Sequence, residues 1–365
     1  MKLQSRNPVI LFNDPLAKMR ESLSAALFFE DTLWVASDES TSVERFTTDD
    51  GRSFKHQRSF PLEDLINLPA IGTKADQEVD IEGMDFEDSH LWLIGSHSIK
   101  RKKVESGDTG SDEKLIEKLA KTESAGNRFT LARIPLIKND SGEQELVRSG
   151  VGPTGEDLQA SSLPNDLTSN SLTKALRKDD PPHLARFLDI PGKDNGFDIE
   201  GLAVTAEKVF VGLRGPVVRG WAVVLELSVG TSDPSQLTLN EVGPSGRPYK
   251  KHFLDLRGLG VRELCVHGED LLVLAGPTMT LDGPTSIYRW KGAINNQNES
   301  LVRAEQLVHE LEIQFGLRTD HAEGITLISG DEEPLQILVV YDSPSANRKE
   351  GDNGVRADVF DLASS

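Results

Sequence analysis

Asp198-Ile199-Glu200-Gly201-Leu202, followed after a short polar turn by Val209-Phe210-Val211-Gly212-Leu213, is the stretch whose reading decides the fold. Both runs are short, apolar and rich in β-branched or aromatic residues, and turn-forming residues separate them, so they read as two strands of a hairpin. The same unit recurs along the chain. Ser24 to Phe29 pairs with Leu33 to Asp38, and Asp80-Ile81-Glu82-Gly83-Met84 with Leu91 to Ser96. Arg262-Glu263-Leu264-Cys265-Val266 pairs with Leu271 to Ala275, and His321-Ala322-Glu323-Gly324-Ile325 with Ile337 to Asp342.

A third strand follows most copies, at Val43 to Phe46, Phe129 to Ile134, Ala222 to Leu227 and Asp358 to Leu362. A fourth is expected before the next copy, at Phe54 to Phe60, Leu184 to Leu188, His252 to Leu256 and Val308 to Ile313. Four antiparallel strands repeated about a centre describe an all-β protein, a β-propeller. The spacing gives five blades, with six as the alternative. The last copy lacks a fourth strand, and Pro8-Val9-Ile10-Leu11-Phe12 is free to supply it. Such pairing would close the ring and remove exposed edges.

The chain of 365 residues is read as one domain, residues 1–365, with 31 Gly and 18 Pro scattered through it as many tight turns require. Two stretches interrupt the repeat and are read as insertions. Residues 107–126 contain Glu113 to Leu119 as a short amphipathic helix, and residues 139–182 contain Ser171 to Leu176. Either could form a lid or a surface loop.

The net charge is −19. That field repels nucleic acid and anionic membrane and favours cations, so neither of the former is expected as a partner. No window has the length of a membrane span, and Met1 to Asn7 lacks a signal-peptide core, which makes the cytoplasm the default location. The lone Cys265 excludes a disulfide framework. No nucleophile elbow, phosphate-binding loop, dinucleotide fingerprint or zinc-type cluster is present, so no nucleotide cofactor is expected.

In a propeller the first strand of each blade lines the channel, and its start shares a face with the end of the second strand. That converts sequence positions into a ring. Asp80, Glu82, Asp198, Glu200, Glu263, Asp320 and Glu323 fall at first-strand starts, and Asp38, His97, Lys100, Arg214 and Asp342 at second-strand ends. Three carboxylates about 8 Å apart at an effective dielectric of about 20 would repel by about 6 kcal/mol in sum. A bound cation, neighbouring Arg214, His97 and Lys100, or retained protons would relieve this. Glu82, Glu200 and Glu323 are therefore candidate ligands of a divalent cation, calcium above others. Arg214, Lys100, Asp38 and Asp342 are candidate ligand-binding residues, and His97 is the candidate catalytic acid or base. Arg214, between glycines, serves equally well to neutralise Glu200 or to grip an anion. Each acid could equally accept hydrogen bonds from turn amides of its own blade.

The run from Gly192-Lys193-Asp194 to Gly220-Trp221-Ala222-Val223-Val224-Leu225, containing Asp198-Ile199-Glu200-Gly201 and Gly212-Leu213-Arg214-Gly215-Pro216, resembles the family called domain of unknown function 3616. Asp80-Ile81-Glu82-Gly83 and His321-Ala322-Glu323-Gly324 fit the same family, so the resemblance spans nearly the whole chain. The Asp-Ile-Glu-Gly segments are also similar to those of phytase-like esterase propellers, a likeness that transfers no catalytic residue. Arg262-Glu263-Leu264 departs from the Glu-Gly form. Two functions follow as expectations. One is a metal-assisted hydrolase of phosphoesters, esters or lactones at the channel mouth, acting on a small anionic molecule. The other is a non-catalytic propeller that binds a small ligand or a protein partner.

Overall fold

The computed structural model describes residues 3–13, 18–70, 78–104, 107–328 and 334–362. Each of the five repeats forms an antiparallel hairpin. The first strands are Leu23–Phe29, Ile81–Glu87, Asp198–Val204, Gly260–His267 and His321–Leu327. Their partners are Thr32–Ser37, His90–Gly95, Val209–Val218, Asp270–Gly276 and Gln336–Asp342. Third strands follow at Ser42–Thr47, Leu131–Lys138, Trp221–Leu227, Thr285–Trp290 and Asp358–Asp361. The arrangement is all-β and propeller-like.

Why the second strands read as unbroken apolar runs is now plain: Thr32–Ser37 and His90–Gly95 are buried along their whole length, because each sheet is covered on both faces by its neighbours. Five apolar clusters fill the gaps. Trp34, Val43 and Phe60 of the first sheet pack with Met84, Leu91 and Ile134 of the second, and Leu272, Leu274 and Ile287 of the fourth pack with Ile325, Ile337 and Val339 of the fifth. Another joins Leu338, Val340 and Val359 of the fifth sheet to Leu23, Val35 and Phe46 of the first.

The first strands also touch one another in turn. Ser24 Oγ donates to the Ile81 carbonyl at 2.5 Å, Val204 N donates to Asp85 Oδ2 at 2.6 Å, and Leu202 N to Glu263 Oε1 at 3.0 Å. Arg262 pairs with Glu323, and Phe28 N donates to Thr326 Oγ1 at 2.8 Å.

Three outer elements differ from expectation. Leu184 to Leu188 is not a strand but encloses a 3-10 turn, Ala185–Phe187, whose flanking Leu184 and Leu188 bury at helical rather than alternating spacing. The second sheet instead takes Ser161–Ser162 and the hairpin Val229–Asp233 with Gln236–Leu239. At the amino terminus, Val9–Leu11 lies parallel to the start of Ser53–Pro61 and antiparallel to Gly354–Arg356. Only the residues before it reach the last third strand: the Arg6 and Pro8 carbonyls accept from Val359 N and Ala357 N. Within 107–126 a helix spans Asp112–Ala120, and within 139–182 one spans Ser171–Leu176. Among the described residues no helix is long and apolar enough to cross a membrane.

Candidate functional site

Each inner strand leaves one residue out of register with its partner, Ser24, Glu82, Glu200, Arg262 or Glu323, and in the third hairpin the partner strand also skips Arg214. A bulge of this kind takes one residue out of the ladder and re-aims its side chain. In three strands the next residue is glycine, and space explains it. A Cβ on Gly83 would lie 2.7 Å from Leu202, one on Gly201 3.1 Å from the Glu263 backbone, and one on Gly324 3.0 Å from Ala26 N. Glycine therefore lets adjacent inner strands approach at the level of the bulge.

The fourth strand corrects the sequence reading. Glu263, expected at the channel, stands at the glycine position, where its Oε1 accepts from Leu202 N and Leu264 N and burial pushes its carboxyl well above the usual range. Arg262 holds the bulge. Superposing Leu264 on Leu202 in the sequence would have exposed this, since it sets Arg262 over Glu200.

An alternating series of charges results: Asp198, Arg214, Glu200, Arg262, Glu323. Arg214 pairs with both Asp198 and Glu200, and Arg262 reaches Glu200 at 3.0 Å and pairs with Glu323. Burial still pushes Glu200 up to about 7 against the pull of the two guanidiniums. No hydrogen bond or ion pair engages the Glu82 carboxyl among the described residues, and burial followed by repulsion from Asp80 and Glu200 raises it well above the carboxylate range. Asp38, whose Oδ1 is buried without a hydrogen bond, is raised to about 8 by burial and then by Asp80, Glu323 and Asp342.

The remaining candidates divide. Asp342 sits 3.8 Å from His321 Nδ1, while His321 Nε2 meets Asp282 at 3.1 Å; both acids, Asp342 foremost, hold the imidazole above its usual value. Lys100 is engaged elsewhere, 2.5 Å from Glu78 and 3.6 Å from Asp80, the acid that Arg128 also grips. His97 is buried with both ring nitrogens occupied, Nδ1 by the Gly95 carbonyl at 2.7 Å and Nε2 by the Asn170 amide at 2.6 Å. Burial lowers it to about 4. The structure makes it a neutral clamp between the inner sheet and the helix Ser171–Leu176 rather than a group poised for proton transfer.

The three glutamates expected to hold a divalent cation do not converge on one. Two of them already have guanidinium partners, and among the described residues no group of three His, Cys, Asp or Glu could hold a metal ion. The residues do not fit a metal centre. Arginine supplies the counter-charge that a cation would have brought.

What the sequence reading missed is a cavity of about 480 Å³ beside this series, at the ends of the third, fourth and fifth sheets. Arg214 and Arg262, each 8% exposed, form its floor. Lys193 and Arg318 stand exposed at its edge with His321, Asp342 and Glu323 between. Lys193 rides the 3-10 turn Gly192–Asp194, which is fastened by Gly192 N donating to the Ile99 carbonyl. Among the described residues no hydrogen bond or ion pair engages its ammonium, and it lies within electrostatic reach of Asp38, Glu323 and Asp342. It precedes its strand in a loop, where no periodicity marks it.

The family model described as protein of unknown function (DUF3616) matches residues 22–358, and the chain belongs to that family. No curated protein sequence matches it. Among solved structures, Myxococcus xanthus glutaminyl cyclase is similar at 8% identity and a TM-score of 0.41, covering 98% of this chain and 99% of that one. The PQQ-bound aldose sugar dehydrogenase of Streptomyces coelicolor is similar at 12% identity and a TM-score of 0.37, over 97% and 98%. Regucalcin, a calcium-binding protein of Agrobacterium tumefaciens, is similar at 9% identity and a TM-score of 0.37, over 97% and 95%.

Proposed function

We propose that this member of the DUF3616 family is a five-bladed propeller whose mouth cavity binds a small organic anion, a carboxylate or a phosphoester. The blade count and ring closure are supported by the apolar cluster shared between the first and fifth sheets. The observation that carries the binding assignment is the cavity's charge. On a chain of net charge −19, Lys193, Arg214, Arg262 and Arg318 line it with Asp282, Glu323 and Asp342; the two buried arginines already pair with Asp198, Glu200 and Glu323, while Lys193 and Arg318 at the edge make no ion pair among the described residues.

Binding to the folded state raises the melting temperature by mass action, so a thermal-shift panel of acetate, phosphate and phenyl phosphate at constant ionic strength tests the assignment. Saturable stabilisation that Lys193→Ala weakens roughly fivefold to tenfold supports it. An equal, non-saturating response of both proteins to every salt argues against it.

Hydrolysis of a bound ester, phosphoester or lactone is the second reading, favoured by one observation: the Asp38 carboxyl, buried with Oδ1 unbonded and pushed up to about 8 by that burial, lies within electrostatic reach of Lys193 at the cavity edge. A carboxyl that holds its proton can protonate a leaving oxygen where binding brings the two within hydrogen-bond reach; Asp38 itself does not line the cavity. Turnover of nitrophenyl esters and phosphates that Asp38→Asn removes, with binding retained, would support this reading over simple capture. Binding without turnover leaves capture alone.

A further inference from the structure

The cavity carries an apolar wall as well as its cations. Pro277, Met279, Leu281 and Phe315 line it. Met279 is 41% exposed, Phe315 43% and Leu281 60%, and Leu317 beside them is 82% exposed. These four fall on two loops, one flanking Asp282 and the other flanking Arg318. Asp282 ties the loops together, because its Oδ1 accepts from both Arg318 N and His321 Nε2. The loops are thus held by polar contacts while their large apolar side chains face outward.

Single exposed apolar residues on a soluble surface need no explanation, but a group gathered round one cavity does. Eleven large apolar residues are exposed among the described residues, and four of them are on these two loops. We infer that the ligand is amphipathic. Its anionic head meets Arg214 and Arg262 on the floor with Lys193 at the rim, and an acyl or aryl group lies along Met279, Leu281 and Phe315. This rests on the anion-binding reading above. The polarity runs one way only: a buried charge-bearing end requires the cationic floor, and an apolar end gains by covering side chains that water now touches.

Calorimetric titration of the full chain with acetate, butyrate, hexanoate and octanoate at one ionic strength tests it. Each methylene that reaches the wall should tighten binding by roughly fourfold, so that hexanoate binds at least about tenfold more tightly than acetate. In the triple variant Met279→Ser, Leu281→Ser, Phe315→Ser, acetate affinity should persist while the dependence on chain length disappears. These side chains are exposed and outside the core, and the retained acetate site reports that the variant folds. Acetate and phosphate binding with no chain-length dependence would overturn the inference and leave the anion reading standing. An unchanged dependence in the triple variant would overturn it as well. A dimer that the same substitutions dissolve would overturn it by assigning the wall to a second copy of this chain. No binding of any carboxylate or of phosphate would remove the anion reading, and this inference with it.

Discussion

Arg262 stands on the fourth inner strand where Glu200 stands on the third, and its Nε lies 3.0 Å from the Glu200 carboxylate. The pair is buried, with Glu323 and Arg214 extending it on either side. Removing one partner of such a pair strands a charge, which costs about 3–5 kcal/mol. Arg262→Met should therefore lower unfolding stability by about that amount. Adding Glu200→Gln should restore part of the loss, giving a coupling of at least about 1 kcal/mol in a double-mutant cycle measured by chemical denaturation. Strict additivity would show the contact to be energetically idle.

Much of this was legible beforehand and some was not, for identifiable reasons. Three Glu-Gly pairs in one register announce the bulge, because glycine is needed where neighbouring inner strands touch. The fourth blade hid its bulge by replacing that glycine with Glu263, a side chain that folds back onto the Leu202 and Leu264 amides. Charge pairing also escaped sequence reading. A repeated acid looks the same in one dimension whether its partner is a cation in solution or an arginine one blade away. The cavity was invisible because its apolar wall comes from loops, where neither period two nor period 3.6 applies.

Gly201→Ala should destabilise by roughly 1–3 kcal/mol, since its Cβ would stand about 3.0 Å from Leu264 with backbone on the same side. Gly107→Ala, with nothing within 4 Å, should stay within about 0.5 kcal/mol of the wild type. Denaturant midpoints compare the two directly. Equal effects would deny the close approach of the inner strands.

Stability should fall as pH rises from the ordinary carboxylate range toward 8. Asp38, raised to about 8, and Glu78, raised to about 7, hold their protons to higher pH in the folded chain than in the unfolded one. The folded chain then binds more protons than the unfolded chain across that window, and their contribution is lost as each group ionises. Glu226 acts in the opposite sense: despite burial, hydrogen bonds from His252 and Lys250 hold it at about 2, so its contribution is lost only as pH falls toward that value. Scanning calorimetry should find the highest Tm in mildly acidic buffer. Asp38→Asn should flatten the alkaline decline, raising Tm at pH 8.5 by roughly 1 °C or more while changing little at pH 5.

His97→Ala should cost stability, roughly 1–3 kcal/mol, by leaving the buried Asn170 amide and Gly95 carbonyl short of a partner. Its ring, lowered to about 4, should contribute no titration between pH 5 and 8 to any activity or binding profile. Imidazole resonances followed by NMR against pH check this. A His97 midpoint near 6.5 would contradict the clamp.

Titration calorimetry with phenyl phosphate, comparing the wild type with Lys193→Glu at low ionic strength, is the most direct test of the anion-binding cavity. Lys193 is exposed and among the described residues makes no hydrogen bond or ion pair, so reversing its charge should leave the fold intact, lowering Tm by no more than a few degrees through repulsion from Asp38, Glu323 and Asp342. The account predicts one saturable site in the wild type, weakened at least about tenfold by the reversal. Saturable binding of equal strength in both proteins, or none in either, would contradict it.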